Sequence, residues 1–141
     1  MIAERAGLAV TSGAPGTVHV RDSRWRGYLA NMTPAEFEKD WVAHLPDRID
    51  GAEFLSLYQG TTDTVSVIHP ERSYAVRVST AHPIYENSRV KRFAELLGEP
   101  LDEAHLEQLG ELMYQSHSSY SACGLGSAGT DLLVRLVREA G

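Results

Sequence analysis

Gly124-Leu125-Gly126-Ser127-Ala128-Gly129 is the sharpest chemistry-bearing pattern in the chain. Its G-x-G-x-x-G spacing is what a turn needs to bring backbone N–H groups against a pyrophosphate ahead of a helix. The rest of a dinucleotide fingerprint is missing. A helical face rather than a strand precedes the turn, and the sequence stops at Gly141, short of the acidic ribose ligand expected roughly 20 residues on. Two uses stay open. The plainer one is a helix-to-helix connector. The other is phosphate contact through Gly124, Gly126 and Gly129, because Thr130 and Asp131 open the next helix and the positive end of a helix favours an anion.

His82 and Glu86 lie four apart at a helix start and could share a metal, but two ligands make a weak site and a structural role is the plainer reading. His117 and Cys123 suggest a base and a nucleophile, yet no third residue is placed to orient the histidine, and Cys123 sits among small turn residues. Arg89 to Arg92 read as a solvated helix face, with Glu95 four residues after Lys91. No Walker-type phosphate loop, catalytic carboxylate pair, metal cluster or Ser-His-Asp order stands out.

The elements that must position these residues are mostly helices. Met1 to Ala9 lacks a capping residue and reads as a helix without its start, and Thr11 to Gly16 reads as a loop that is neither helix nor strand. Thr33-Pro34-Ala35-Glu36 is a capping box with proline at the first helical position. It predicts a helix from Pro34 to about His44, buried through Phe37, Trp41 and Leu45 and ended by Pro46. Asp50 and Glu53 repeat the start signal for a shorter helix. Val65, Val67, Tyr74, Val76 and Val78 alternate between Thr64 and Ser79, which predicts a hairpin or a single strand with an extended approach. Helical spacing returns from Ile84 to Leu97, with Gly98 as a left-handed stop and Pro100 beyond. Asp102 starts a helix with an apolar face of Leu106, Leu109, Leu112, Met113 and Tyr114. Thr130 is expected to cap the last one, Asp131 to Ala140, with Gly141 as its stop. Three helices, beginning near Pro83, Asp102 and Thr130, should pack together. The fold class expected is α+β, predominantly helical, with residues 1–141 forming a single domain or part of one.

The bulk properties narrow the partners. A formal charge of -6 and a pI near 5.4 disfavour nucleic acid and anionic membranes as partners, since both select basic faces. With 43% hydrophobic and 23% charged residues, the 141-residue chain has the composition of a folded domain rather than a disordered tail. Cys123 is the only cysteine, so no internal disulfide forms, and no run approaches the roughly 20 apolar residues of a membrane span. A cytoplasmic protein is the expectation.

Two stretches together resemble one family. His82-Pro83-Ile84-Tyr85-Glu86-Asn87-Ser88-Arg89-Val90 is similar to the H-x-x-x-E-N-x-R-V helix of galactokinase-like sugar kinases of the GHMP superfamily. Leu109-Gly110-Glu111-Leu112-Met113-Tyr114-Gln115-Ser116-His117 is similar to their L-G-x-L-M-x-x-S-H helix. The continuation Ser119-Tyr120-Ser121-Ala122-Cys123-Gly124-Leu125-Gly126-Ser127 looks like the L-arabinokinase branch, as do Gly27-Tyr28-Leu29-Ala30-Asn31 and the Glu53-Phe54-Leu55 helix. The match runs in order through most of the chain and implies part of the carboxyl-terminal domain of such a kinase. In the intact relative, the resemblance implies transfer of the terminal phosphoryl of Mg-ATP to the anomeric hydroxyl of a monosaccharide. The phosphate loop, the sugar-holding residues and the catalytic aspartate would precede Met1, and a late glycine-rich motif would follow Gly141. The chain alone is therefore expected to be inactive and to bind no cofactor, ATP and Mg belonging to the intact kinase. Its implied partners are the missing amino-terminal kinase domain or a second copy of itself. Ser127, Thr130 and Asp131 are the residues implied to lie near substrate, and no catalytic or metal-binding residue is carried over. Ala128 departs from the branch, where an acidic residue is expected. A competing function is a free-standing helical binding or assembly module; the reading frames flanking the chain discriminate the two.

Overall fold

The computed structural model describes residues 1–58, 60–100 and 102–140, so the expected helix stop at Gly141 lies outside the described residues. The architecture is α+β and mostly helical: α1 Ile2–Arg5, β1 Ala9–Ser12, β2 Val18–Arg21, α2 Pro34–Asp40, β3 Arg48–Asp50, α3 Gly51–Leu57, β4 Ser73–Ala75, α4 Arg77–Leu97, α5 Glu103–Ala122 and α6 Ala128–Ala140. Two small antiparallel sheets, β1–β2 and β3–β4, complete it.

Local chemistry explains the helix starts that the sequence signals. The Thr33 side chain accepts the Glu36 N–H at 3.2 Å, and Pro34 follows at the first helical position. α2 ends at Asp40, short of the expected His44, because Trp41 leaves helical geometry at φ -127°; a 3-10 turn over Val42–His44 follows, and Phe37, Trp41 and Leu45 are all buried although the helix does not run through them. Replacing Thr33 by alanine should cost about 1 kcal/mol, read by urea denaturation; no measurable loss would show that the cap is spent on solvent. Asp102 caps α5 in the same way, accepting the His105 N–H at 2.9 Å.

Other local signals were redirected by distant chain. Asp50 lies in β3 and its side chain caps nothing, because the first amides of α3 are taken by backbone carbonyls: Gly51 N–H by Arg72 at 2.7 Å and Ala52 N–H by Pro70 at 3.1 Å. The approach is so close that a Cβ on Gly51 would overlap the His69 carbonyl, which is why only glycine fits there. The region from Thr64 to Ser79 forms no hairpin of its own. Its one strand, β4, pairs with β3, Ile49 opposite Tyr74, and Val78 and Ser79 already belong to α4. Thr11 and Ser12, expected in a loop, lie in β1, with Val10 opposite Val20 across the turn at Gly13 to Thr17.

α4 begins at Arg77 and carries Pro83 inside it, seven residues before the first periodic apolar position, Ile84, would suggest. Pro83 reads locally as a first-turn residue, but tertiary packing extends the helix back through it despite the missing N–H. Gly98 ends α4 with φ -80°, a right-handed rather than left-handed stop.

The core is an aromatic-rich cluster of Ile2, Trp25, Met32, Phe37, Trp41, Leu45 and Ile84. Trp25 and Trp41 meet edge to face with centroids 5.5 Å apart, and Phe37 meets Tyr85 in the same way at 6.3 Å. Asp22 delivers Trp25 to it: the carboxylate accepts the N–H groups of Arg24, Trp25 and Gly27 at 2.8, 2.9 and 3.0 Å. Beyond the cluster, Leu96 of α4 and Leu109 of α5 are buried towards the far end of the two long helices. No helix of the described residues is long and apolar enough to cross a membrane.

Candidate functional site: the α4–α5 seam and the loop at its end

Part of the chemistry-bearing set lies on one helix. α4 presents His82, Glu86 and Arg89 at spacings of four and three, one stripe of a helix. α5 faces it with Ser116 and Ser119, three apart. The ring Nδ1 of His82 lies 2.8 Å from Ser119 Oγ, and the Ser116 hydroxyl donates to Glu86 Oε1 at 2.7 Å. Arg89 donates Nε and Nη2 to Glu86 Oε2 at 2.9 and 2.7 Å. Burial pushes the Glu86 carboxyl up, but the Ser116 hydroxyl, the Arg89 guanidinium and the nearby His82 ring outweigh it and hold the group below its ordinary range. On the other side of α4, Asn87 donates Nδ2 to the Ala30 carbonyl at 2.6 Å, and Asn31 Nδ2 reaches the Trp25 carbonyl at 2.9 Å.

His82 and Glu86 are thus engaged with α5 as a seam, and among the described residues no group of three or more His, Cys, Asp or Glu side chains is placed to hold a metal. His117 and Cys123 have separate partners. His117 Nε2 lies 3.0 Å from Asp131 Oδ1, the orienting carboxylate that sequence spacing did not supply, while Cys123 Sγ donates to the Val78 carbonyl at 3.6 Å. Burial pushes the Cys123 thiol up, away from the thiolate that nucleophilic chemistry requires.

The seam ends in the glycine-rich turn. Gly124 takes φ +74°, and the amides of Cys123, Gly124 and Leu125 bond back to Tyr120 and Ser121 carbonyls. α6 starts at Ala128, two residues before the expected Thr130 cap, because Ser127 is the residue that caps it. Ser127 Oγ accepts the Thr130 N–H at 3.3 Å, and Thr130 Oγ1 accepts the Ser127 N–H at 3.1 Å. This is a reciprocal capping box with threonine in the place usually held by glutamate. Asp131, one residue further, carries its charge to His117 and accepts a longer bond from the Ser121 hydroxyl at 3.4 Å.

Ser127, Thr130 and Asp131 therefore sit together at the start of α6, with Gly124, Gly126 and Gly129 in the turn that feeds it. Beside them, Tyr114, His117, Asp131, Arg135 and Arg138 line an open groove of about 520 Å³. With Glu139 also on its wall, it offers hydroxyl-binding groups of both signs: two carboxylates, two guanidiniums and an imidazole. Arg89, expected on a solvated helix face, is instead withdrawn against Glu86, and Tyr114, expected on an apolar face, lines the groove; Ser116 and Ser119 had no role assigned, and their helical spacing was the signal that could have given them one. Glu95, expected beside Lys91, instead meets Arg92 at 3.4 Å.

No family model and no solved structure matches the chain. Over 111 residues it is 48% identical to L-arabinokinase from Arabidopsis thaliana, which covers 79% of this chain and 11% of that protein. The identity ties the chain to a sugar kinase, of whose full length it corresponds to a small part.

Proposed function

We infer that the chain serves as part of a monosaccharide kinase of the L-arabinokinase type, within the GHMP superfamily, and that it lies in the carboxyl-terminal domain of the intact enzyme. The observation that carries this reading is the 48% identity to L-arabinokinase. The intact protein would transfer the terminal phosphoryl of Mg-ATP to the anomeric hydroxyl of a sugar, a reaction driven by positioning and charge stabilisation. This segment contributes scaffold: the seam of α4 and α5 holds the loop at Gly124 to Ser127 and the first turn of α6 in fixed relation. Ser127, Thr130 and Asp131 are the residues proposed to stand near substrate. The bonds between Ser127 and Thr130, and those of Asp131 to His117 and Ser121, set the direction of each polar group before a sugar arrives. ATP and Mg would be held by other parts of the kinase, including its amino-terminal domain, and the chain by itself would turn over no sugar.

A chimera tests this. The matching segment of the Arabidopsis L-arabinokinase is replaced by this chain, and L-arabinose-dependent ATP consumption is measured beside a deletion lacking the segment. The chimera should keep its rate within about tenfold of the parent, and the deletion should have none. A folded chimera that binds nucleotide but consumes no ATP with sugar would overturn the reading. Steady turnover by the isolated chain would overturn the scaffold role.

A further inference from the structure

α6 is attached to the molecule by the wrong side for an amphipathic helix. Its contacts with α5 are polar: Asp131 meets His117 at 3.0 Å, and the Arg138 guanidinium stands 4.1 Å from the centroid of the Tyr114 ring. Asp131, Val134 and Arg138 recur at spacings of three and four and so form one edge of the helix. The apolar stripe is turned outward. Leu132, Leu133, Leu136 and Val137 are 44%, 61%, 52% and 51% exposed, and among the described residues α6 buries no side chain. The stripe continues across a groove of about 550 Å³ to Val90 and Leu97 of α4 and Met113 of α5, each more than half exposed. A soluble monomer seldom leaves so many large apolar side chains contiguous and uncovered.

We propose that a second copy of the chain covers this face, with the two α6 helices packed antiparallel about a two-fold axis. The stripe is its own complement. Leu132, Leu133, Leu136 and Val137 are spaced symmetrically about the midpoint between Val134 and Arg135. An antiparallel partner in that register sets Leu132 against Val137 and Leu133 against Leu136, with apolar residues opposite apolar residues throughout. The same arrangement runs the two helices in opposite directions and so aligns their dipoles favourably. A two-fold interface uses the same patch on both copies, which is what a self-complementary stripe supplies. Val90, Leu97 and Met113 enlarge the contact towards the roughly 800 Å² per partner of a stable interface. An anionic membrane is the poorer occupant, since α6 balances Asp131 and Glu139 against Arg135 and Arg138 and the whole chain carries -6. The inference rests on the geometry of α6 and not on the kinase reading.

The test is light scattering after size exclusion on the 141-residue chain from low to high micromolar concentration. The mass should rise towards twice 15.5 kDa. Leu136→Glu should weaken association at least about tenfold, with an unchanged circular dichroism spectrum because the side chain is already exposed. In a Cys123→Ser background, Leu132→Cys chains mixed with Val137→Cys chains should form a disulfide-linked pair, and neither alone should do so efficiently. A monomeric wild type at high micromolar concentration would overturn the proposal. So would a dimer that Leu136→Glu leaves intact, or binding to phosphatidylserine vesicles in place of self-association.

Discussion

Truncating Phe37 to alanine should lower the free energy of unfolding by about 3–5 kcal/mol, the largest effect expected of a single change in this chain. Phe37 is 1% exposed, in a cluster of seven buried residues among those described, and its ring stands edge to face against Tyr85. Tyr85 in turn donates its hydroxyl to Glu38, one residue along α2, so Phe37 marks the point where α2 is fastened to α4. Close-packed interiors relax only partly around a deleted ring, and the remaining cavity costs more than the lost transfer free energy alone. Trp25 and Trp41 belong to the same cluster and report its loss directly, so urea denaturation followed by tryptophan fluorescence measures the effect. Leu133→Ala, at an exposed site on α6, is the control and should shift stability by no more than about 0.5 kcal/mol under dilute conditions. A Phe37→Ala cost below about 1 kcal/mol would mean that this cluster is not what holds the fold together.

Replacing Glu86 by glutamine should cost about 1–3 kcal/mol at neutral pH and progressively less in acid. The carboxylate accepts three hydrogen bonds, two from Arg89 and one from Ser116, and both charged side chains are largely withdrawn from water, 29% exposed for Glu86 and 13% for Arg89. Glutamine keeps the shape but offers a single acceptor atom, and it leaves the largely buried Arg89 guanidinium without its counter-charge. The sign of the pH dependence follows from the lowered pKa of Glu86 in the folded chain. A depressed folded-state pKa contributes stability that is fully present above the unfolded value of about 4.3 and is lost as pH falls through the folded value. Urea denaturation of both proteins between pH 7 and pH 3 should therefore show a wide gap that narrows below about pH 4. A gap of constant width across that range would assign the effect to shape alone.

The seam that Glu86 anchors brings the two resembling stretches into contact. The helix around His82 to Val90 and the helix around Leu109 to His117 are joined through the contacts of Glu86 with Ser116 and of His82 with Ser119. A third resembling stretch, Gly27 to Asn31, meets the opposite side of α4 through Asn87 and the Ala30 carbonyl. Positions far apart in the chain thus form one contact set with α4 at its centre.

Sequence by itself determined what a few neighbouring residues decide. Thr33 with Pro34, and Asp102 three before His105, start their helices locally, because a side-chain oxygen reaches an N–H two or three residues along the same chain. Sequence also marked Phe37, Trp41 and Leu45 for burial, although the helix expected to carry all three ends at Asp40. Tertiary structure decided whatever needed a distant partner. β3 and β4 pair across more than twenty residues, and the carbonyls of Pro70 and Arg72 took over the start of α3 from Asp50. α4 ran back through Pro83 to Arg77, past the point where the proline suggests a start. The candidate site divided in the same way: the residues of the Gly124 turn were legible, but the partner of His117 was not, since Asp131 reaches it only after the chain has turned and begun α6. Periodicity gave α6 an apolar stripe without its direction. That direction was set by two polar contacts to α5, and no local pattern encodes which side of a helix its neighbours will hold.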